Sequence, residues 1–171
     1  MACFVAAVRF IGGPNTREDY HLDLGSEFFF QMKGNMELPT IQQGKRKLVK
    51  INQGQVYLLP SRIPHSPQRQ VDTFGLVVER KRAPDEVDGL RWYRDFEQPD
   101  TSCTGGATGS AHPHGVLWDR FFYCGDLEKD LVPVVKAYKS SPECNDVRTS
   151  ERFASGSFAI CTMHNSPSTS P

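Results

Sequence analysis

EFFFQMKGNMELPTIQQGKRKLVKINQGQVYLLP, residues 27–60, decides the fold class. Short apolar runs alternate in it with turn-forming residues. Glu27 to Met32 carries three consecutive phenylalanines, and Gly34-Asn35 turns the chain into Met36-Glu37-Leu38. Gln42-Gln43-Gly44-Lys45 reads as a hairpin turn, Leu48-Val49-Lys50-Ile51 alternates, and Gln53-Gly54 turns again. Gln55 to Leu59 then forms a strand closed by Pro60. Runs this short between Gly and Pro signals are strands rather than helices. Successive side chains on a strand point to opposite faces, so Glu27, Phe29 and Gln31 share one face and Phe28 and Phe30 the other. A carboxylate on so apolar a strand needs a partner if it points inward, and a metal ion is one such partner.

The same texture extends outward. Val8-Arg9-Phe10-Ile11 is β-prone and is broken by Gly12-Gly13-Pro14-Asn15, and Phe74 to Glu79 is another strand. Many short strands with no long helical period predict an all-β sandwich or barrel. The double-sheet jelly roll, the cupin double-stranded β-helix, belongs to that set. The chain changes character after about residue 95. We expect a cupin catalytic domain over 1–96, a loop or insertion over 97–115 rich in Gly, Pro, Ser and Thr, a partly helical extension over 116–150, and a disordered tail over 151–171. Leu127, Leu131, Val134, Val135 and Tyr138 recur at helical spacing, with Asp126 as N-cap and Pro133 pushing the helix start later. No internal repeat is visible.

Composition narrows the function class. The 171 residues suffice for one domain, and 20 basic side chains balance 20 acidic ones. A neutral chain has no electrostatic reason to seek nucleic acid or anionic membrane. The basic cluster Lys45-Arg46-Lys47 with Lys50 reads as a solvated strand edge. No apolar run approaches the roughly 20 residues needed to span a bilayer. The opening MACFVAAVRF lacks a basic leader and a cleavage site, so we read a strand rather than a signal peptide and expect a soluble cytoplasmic protein. The five cysteines, Cys3, Cys103, Cys124, Cys144 and Cys161, form no CxxC pair, which fits reduced thiols better than a zinc ribbon or disulfide framework.

Three potential ligands fall in the strand-rich half: His21, Glu27 and His65. Two histidines and one carboxylate form the facial triad of non-haem Fe(II) oxygenases, which leaves metal positions open for substrate and O2. Singly each is weak. His21 reads as a surface histidine, Glu27 as a solvated charge, His65 beside Pro64 as a turn residue. Spacing strengthens the set. Tyr20-His21, Glu27 and Gly34, followed by Gly54, Pro60 and His65, resemble the two sequence motifs of the cupin superfamily. Asp19 stands where a further histidine is often found, so the expected ligand set is three residues. Arg69 lies four residues after His65 and Arg17 four before His21, spacings that share a face in an extended segment. Glu79, on the face of Gly75 and Val77, must pair with a cation or a ligand's donors if buried. Arginine recognises carboxylates bidentately, so this set describes a pocket for an anionic aromatic with further donor groups. The plain alternative is that Arg17, Arg69 and Glu79 are surface charges.

The stretches FIGGPNTREDYHLDLGSEFFFQMKGNMEL (10–38), INQGQVYLLPSRIPHSPQR (51–69), TFGLVVERKR (73–82) and DGLRWY (88–93) closely resemble the 3-hydroxyanthranilate 3,4-dioxygenase family. WDRFFYCGDLEKDLVPVVKAYKSSPEC (118–144) looks like the animal-type continuation. The resemblance implies one Fe(2+) per chain held by His21, Glu27 and His65. It implies Arg17 beside bound O2, and Arg69 and Glu79, with Glu27, on the substrate. The implied reaction opens the ring of 3-hydroxyanthranilate with O2 to 2-amino-3-carboxymuconate semialdehyde, which cyclises to quinolinate, a precursor of NAD. A second metal site built from CxxC pairs, carried by bacterial and fungal members, is not expected here. Relative to animal members the chain is expected to be truncated, lacking a leading segment and a second, degenerate cupin domain. As a small-molecule enzyme it is expected to be a monomer or homodimer. The competing readings are a catalytically impaired cupin that binds a small aromatic acid or a partner chain, and a metal-dependent isomerase or zinc-binding cupin.

Overall fold

The computed structural model describes residues 6–93 and 115–145. The expected tail over 151–171, and the expected loop over 97–115 except its last residue, lie outside them. Ten strands form two facing layers among these residues: β1 (Ala6–Gly12), β2 (Tyr20–Leu22), β3 (Glu27–Lys33), β4 (Met36–Gln42), β5 (Lys45–Ile51), β6 (Val56–Leu59), β7 (Gln68–Arg69), β8 (Phe74–Arg80), β9 (Asp88–Tyr93) and β10 (Val116–Phe122).

The first layer is an antiparallel sheet in the order β1-β8-β3-β6. The second comprises two three-stranded sets, β10-β9-β2 and β5-β4-β7. Residues 64–66 run between them. His65 exchanges backbone hydrogen bonds with His21 at 2.8 and 3.0 Å on one side, while Ile41 and Ser66 complete pairs with Pro64 and Pro39 at 2.9 Å on the other. One short segment thus welds the second layer together and carries a histidine into it. The all-β jelly-roll expectation is met.

Local sequence explains the strands. β3 buries Glu27, Phe29 and Gln31 and leaves Phe28 and Phe30 partly exposed, the period of two expected for a half-buried strand. Gln43 and Gly44 both take positive φ, 53° and 72°, between paired Gln42 and Lys45. Two consecutive left-handed residues make the tight hairpin whose twist matches its strands, and a glycine at the second position removes the steric cost there. β5 is the edge it feeds, with Lys45, Arg46, Lys47 and Lys50 exposed, as charges that blunt an edge should be.

Phe29, Leu59 and Val77 from the first layer meet Met36, Leu38 and Ile51 from the second in the central core. A second cluster joins Leu90 and Trp92 of β9 to Val134, Tyr138 and Cys144. The expected helix is present as a π-helical turn, Leu127–Leu131, running into helix α1, Val132–Lys139. Asp126 accepts from the Lys129 N–H at 3.1 Å, a capping bond, and Pro133 stands in the first turn of α1, where the π-helical turn gives way to the α-helix. Trp92 stacks on Tyr138 with centroids 4.1 Å apart. The extension expected from residue 116 therefore does not hang off the barrel. It begins as β10, paired along β9, and returns as a helix packed on the same strand. Cys124 and Cys144 are free thiols, buried. No helix among the described residues is long and apolar enough to cross a membrane.

Candidate active site

A cavity of about 1020 Å³ opens between the two layers, with α1 contributing to its wall. All six residues singled out in the sequence, Arg17, His21, Glu27, His65, Arg69 and Glu79, line it. The surface-charge alternative fails for the buried pair: Arg69 is 2% exposed and Glu79 8%. Strand pairing produces the convergence. Glu27 and Glu79 are direct partners on β3 and β8, and His21 and His65 face each other across a β-bridge. Arg69 sits on β7, whose bridge to Asn15 ties the loop bearing Arg17 to the same rim.

Ligand atoms of His21, Glu27 and His65 all lie within 4.8 Å of one another. His65 Nδ1 is 3.0 Å from the Ile63 carbonyl, to which a ring nitrogen can only donate. That fixes the tautomer and turns the other nitrogen, Nε2, toward Glu27 Oε1 at 3.0 Å. In the neutral ring two lone-pair atoms then face each other. Glu27 Oε1 is fully buried and receives no hydrogen bond of acceptable geometry. Such an arrangement calls for a positive charge between the two, and a metal ion fits the donor set: two imidazoles and a carboxylate, with no thiolate. Burial by itself would raise the Glu27 pKa, but His65 and His21 outweigh it and bring the carboxyl down to about 2. Burial depresses His65, and Glu27 more than reverses this, so its pKa rises.

Arg69 shows the opposite deficiency. Its Nε is buried without a hydrogen-bond partner, and among the described residues it forms no ion pair. Burial and then the neighbouring Arg17 lower its pKa to about 10, with Glu27 pulling the other way. Arg17 is engaged: its Nε and Nη2 both donate to Asp19. Glu79 is paired too, through Oε2, with Arg9 and with Arg82 at 3.4 Å.

Sequence reasoning missed a buried charge network behind the triad. Arg82 donates from Nη2 to Asp23 at 2.7 Å, from Nε to Asp88, and from Nη1 to Glu79. Asp88, 1% exposed, in turn holds His21 Nε2 at 2.7 Å. Burial disfavours the Arg82 charge, but Asp88, Asp23 and Glu79 overcome this and raise its pKa. His21, Asp23 and Asp88 also approach within 4.8 Å of one another, but the Arg82 guanidinium already serves as the cation of that cluster. The one available signal was Asp88 opening the run Asp88-Gly89-Leu90-Arg91-Trp92-Tyr93, a charge at the head of an apolar strand.

A family model described as 3-hydroxyanthranilic acid dioxygenase matches residues 4–139. Curated relatives named 3-hydroxyanthranilate 3,4-dioxygenase include one from Nematostella vectensis, 47% identical over 136 residues covering 80% of this chain and 44% of that one. Those from Homo sapiens and Danio rerio are 46% and 44% identical, each covering 80% of this chain and 42% of the relative. The chain thus spans less than half the length of these relatives. A match across most of the chain, with every residue of the expected triad buried in one cavity, places it by descent: the chain belongs to the 3-hydroxyanthranilic acid dioxygenase family.

Proposed function

We propose that this chain is an Fe(II)-dependent, extradiol-type dioxygenase that opens the ring of 3-hydroxyanthranilate with O2, giving 2-amino-3-carboxymuconate semialdehyde. That product cyclises to quinolinate on the route to NAD. One observation carries the reading. The cavity holds two buried deficiencies of opposite sign, the unsatisfied Oε1 of Glu27 and the unsatisfied Nε of Arg69. A site short of one cation and one anion suits a metal ion together with an aromatic carboxylate.

His21, Glu27 and His65 would hold the iron, one per chain. When bound, it supplies open positions that bring an ionised substrate and O2 together, an orienting contribution. Arg69 takes the substrate carboxylate through its planar fork and so sets which ring bond faces the oxygen. Glu79, held at Oε2 by Arg9 and Arg82, presents its other oxygen to the substrate's amine or hydroxyl proton. Arg17, anchored by Asp19, stabilises negative charge that grows on oxygen as it is reduced. Phe29 and Val77, on the apolar floor of the cavity, keep water from the reacting groups. Free Cys124 and Cys144 thiols suit a reducing cytosol.

The test is anaerobic loading with Fe(II), followed by 3-hydroxyanthranilate and then air. Absorbance of the semialdehyde should grow with time. Stoichiometric iron with no product would favour the impaired, binding-only cupin, a reading kept open by Arg17 being occupied by Asp19.

A further inference from the structure

Helix α1 presents two stripes with different surroundings. Val134 and Tyr138 are buried against Leu90 and Trp92 of β9. Val132, Val135, Lys136 and Lys139, spaced by three and four, share the neighbouring stripe, and all four line the cavity. That stripe changes character along the helix. Val132 and Val135 add to the apolar lining supplied by Phe29 and Val77, while Lys136 and Lys139, both exposed, place two positive charges beside it. Neither lysine forms an ion pair or hydrogen bond with a described residue. The acidic side chains of the cavity are committed elsewhere. Asp19 is taken by Arg17, Glu79 by Arg9 and Arg82, and Glu27 stands in the triad. Glu18, exposed and without an ion pair among the described residues, is the one lining carboxylate not so engaged. Six cationic side chains on the lining face four carboxylates, so the cavity keeps a positive excess that an anion can use.

We propose that Lys136 and Lys139 are specificity-determining residues that draw an anionic aromatic substrate into the cavity. The inference rests on the aromatic carboxylate proposed as substrate and extends its recognition from the buried anchor to the solvent side. Arg69 is buried and grips the carboxylate at contact, whereas the two lysines are exposed and act at a distance. Low-dielectric walls focus a field along a cleft, and the valines beside the lysines supply such a wall. An ammonium on a flexible stem attracts a carboxylate without fixing its orientation, which the planar fork of Arg69 then does. Both lysines also stand in the last turn of α1, where positive charge complements the helix dipole. That role would change the stability of the helix and leave anion affinity alone, so measurement separates the two.

Anaerobic calorimetry of the Fe(II)-loaded full chain tests this with 3-hydroxyanthranilate and with 2-aminophenol, the same ring without its carboxylate. At about 20 mM ionic strength, the double variant Lys136→Gln/Lys139→Gln should weaken binding of 3-hydroxyanthranilate about three- to fivefold and leave 2-aminophenol within a factor of about 1.5. At about 0.5 M salt the loss should shrink below about twofold, because exposed charges are then screened within a few ångströms. Lys136→Arg/Lys139→Arg should restore the wild-type affinity. Should the glutamine pair fold poorly, Lys139→Glu alone should weaken the anion by a similar factor, since it changes the charge by as much. Steady-state turnover should show the same loss in KM, with kcat unchanged. A glutamine pair that binds the anion as tightly as wild type at low salt overturns the proposal. So does an equal loss for both compounds, which would assign the lysines to the structure of α1. A lysine-dependent preference for the anion without turnover would sustain this inference while removing the proposed reaction. A wild-type chain that binds neither compound overturns both.

Discussion

The two sides of β3 differ by one residue in sequence and by everything in environment. Glu27, Phe29 and Gln31 point into the barrel, each no more than 3% exposed, toward the cavity and the core. Phe28 and Phe30 point out, onto an apolar face with no covering layer among the described residues. The inner side contains buried charge that only partners can stabilise, while the outer side contains apolar surface that nothing among the described residues covers. The two differ in kind: unsatisfied polar atoms, Glu27 Oε1 and Arg69 Nε, within, and exposed apolar side chains without.

The largest effect should come from the inner ligands. His65→Ala should reduce iron retention and turnover to background, measured by metal analysis after desalting, because it removes one of three donors and leaves Glu27 buried beside a void. Phe29→Ala, on the same face, should cost about 3 to 5 kcal/mol in denaturant unfolding of the metal-free chain, the range for truncating a fully packed aromatic. If it cost no more than an outer-face change, the two sides would not differ as described.

Arg69→Ala should leave iron bound and raise KM about a hundredfold, since losing a buried charge-assisted pair is worth about 3 kcal/mol. A fall in kcat with KM unchanged would remove Arg69 from carboxylate binding. Asp88→Asn, behind the triad, should weaken Fe(II) affinity about 10- to 100-fold in a competition titration, because it loosens the orientation of His21. Smallest of all, Leu58→Thr on the outer face, where Leu58 is 64% exposed, should change the unfolding free energy by no more than about 0.5 kcal/mol.

Sequence disclosed these regions unevenly. β3, β5, β6 and β8 were legible because each is an apolar run bounded by turn residues. β2 is three residues inside the charged stretch Arg17 to Asp23, and no window that short has a period. β9 begins Asp88-Gly89 and contains Arg91, so its propensity is poor; it is a strand because α1 and β10 bury it. β10 carries visible aromatics, but residues 94–114 separate it from β9, and nothing local names its partner. The triad was readable because its spacing matches a motif. Arg82, Asp23 and Asp88 are lone charges with no spacing relation, so only the folded chain brings them together. Arg17 could be placed at the site from its distance to His21, but its capture by Asp19 could not, since that depends on side-chain direction in a loop.

Equilibrium titration of the apo chain with Fe(II) under strict anaerobiosis, read by isothermal calorimetry beside the Glu27→Gln variant, bears most directly on the buried cluster. One ion per wild-type chain, and none retained by Glu27→Gln, is the outcome this structure predicts. Equal uptake by both proteins, or uptake by neither, would contradict it.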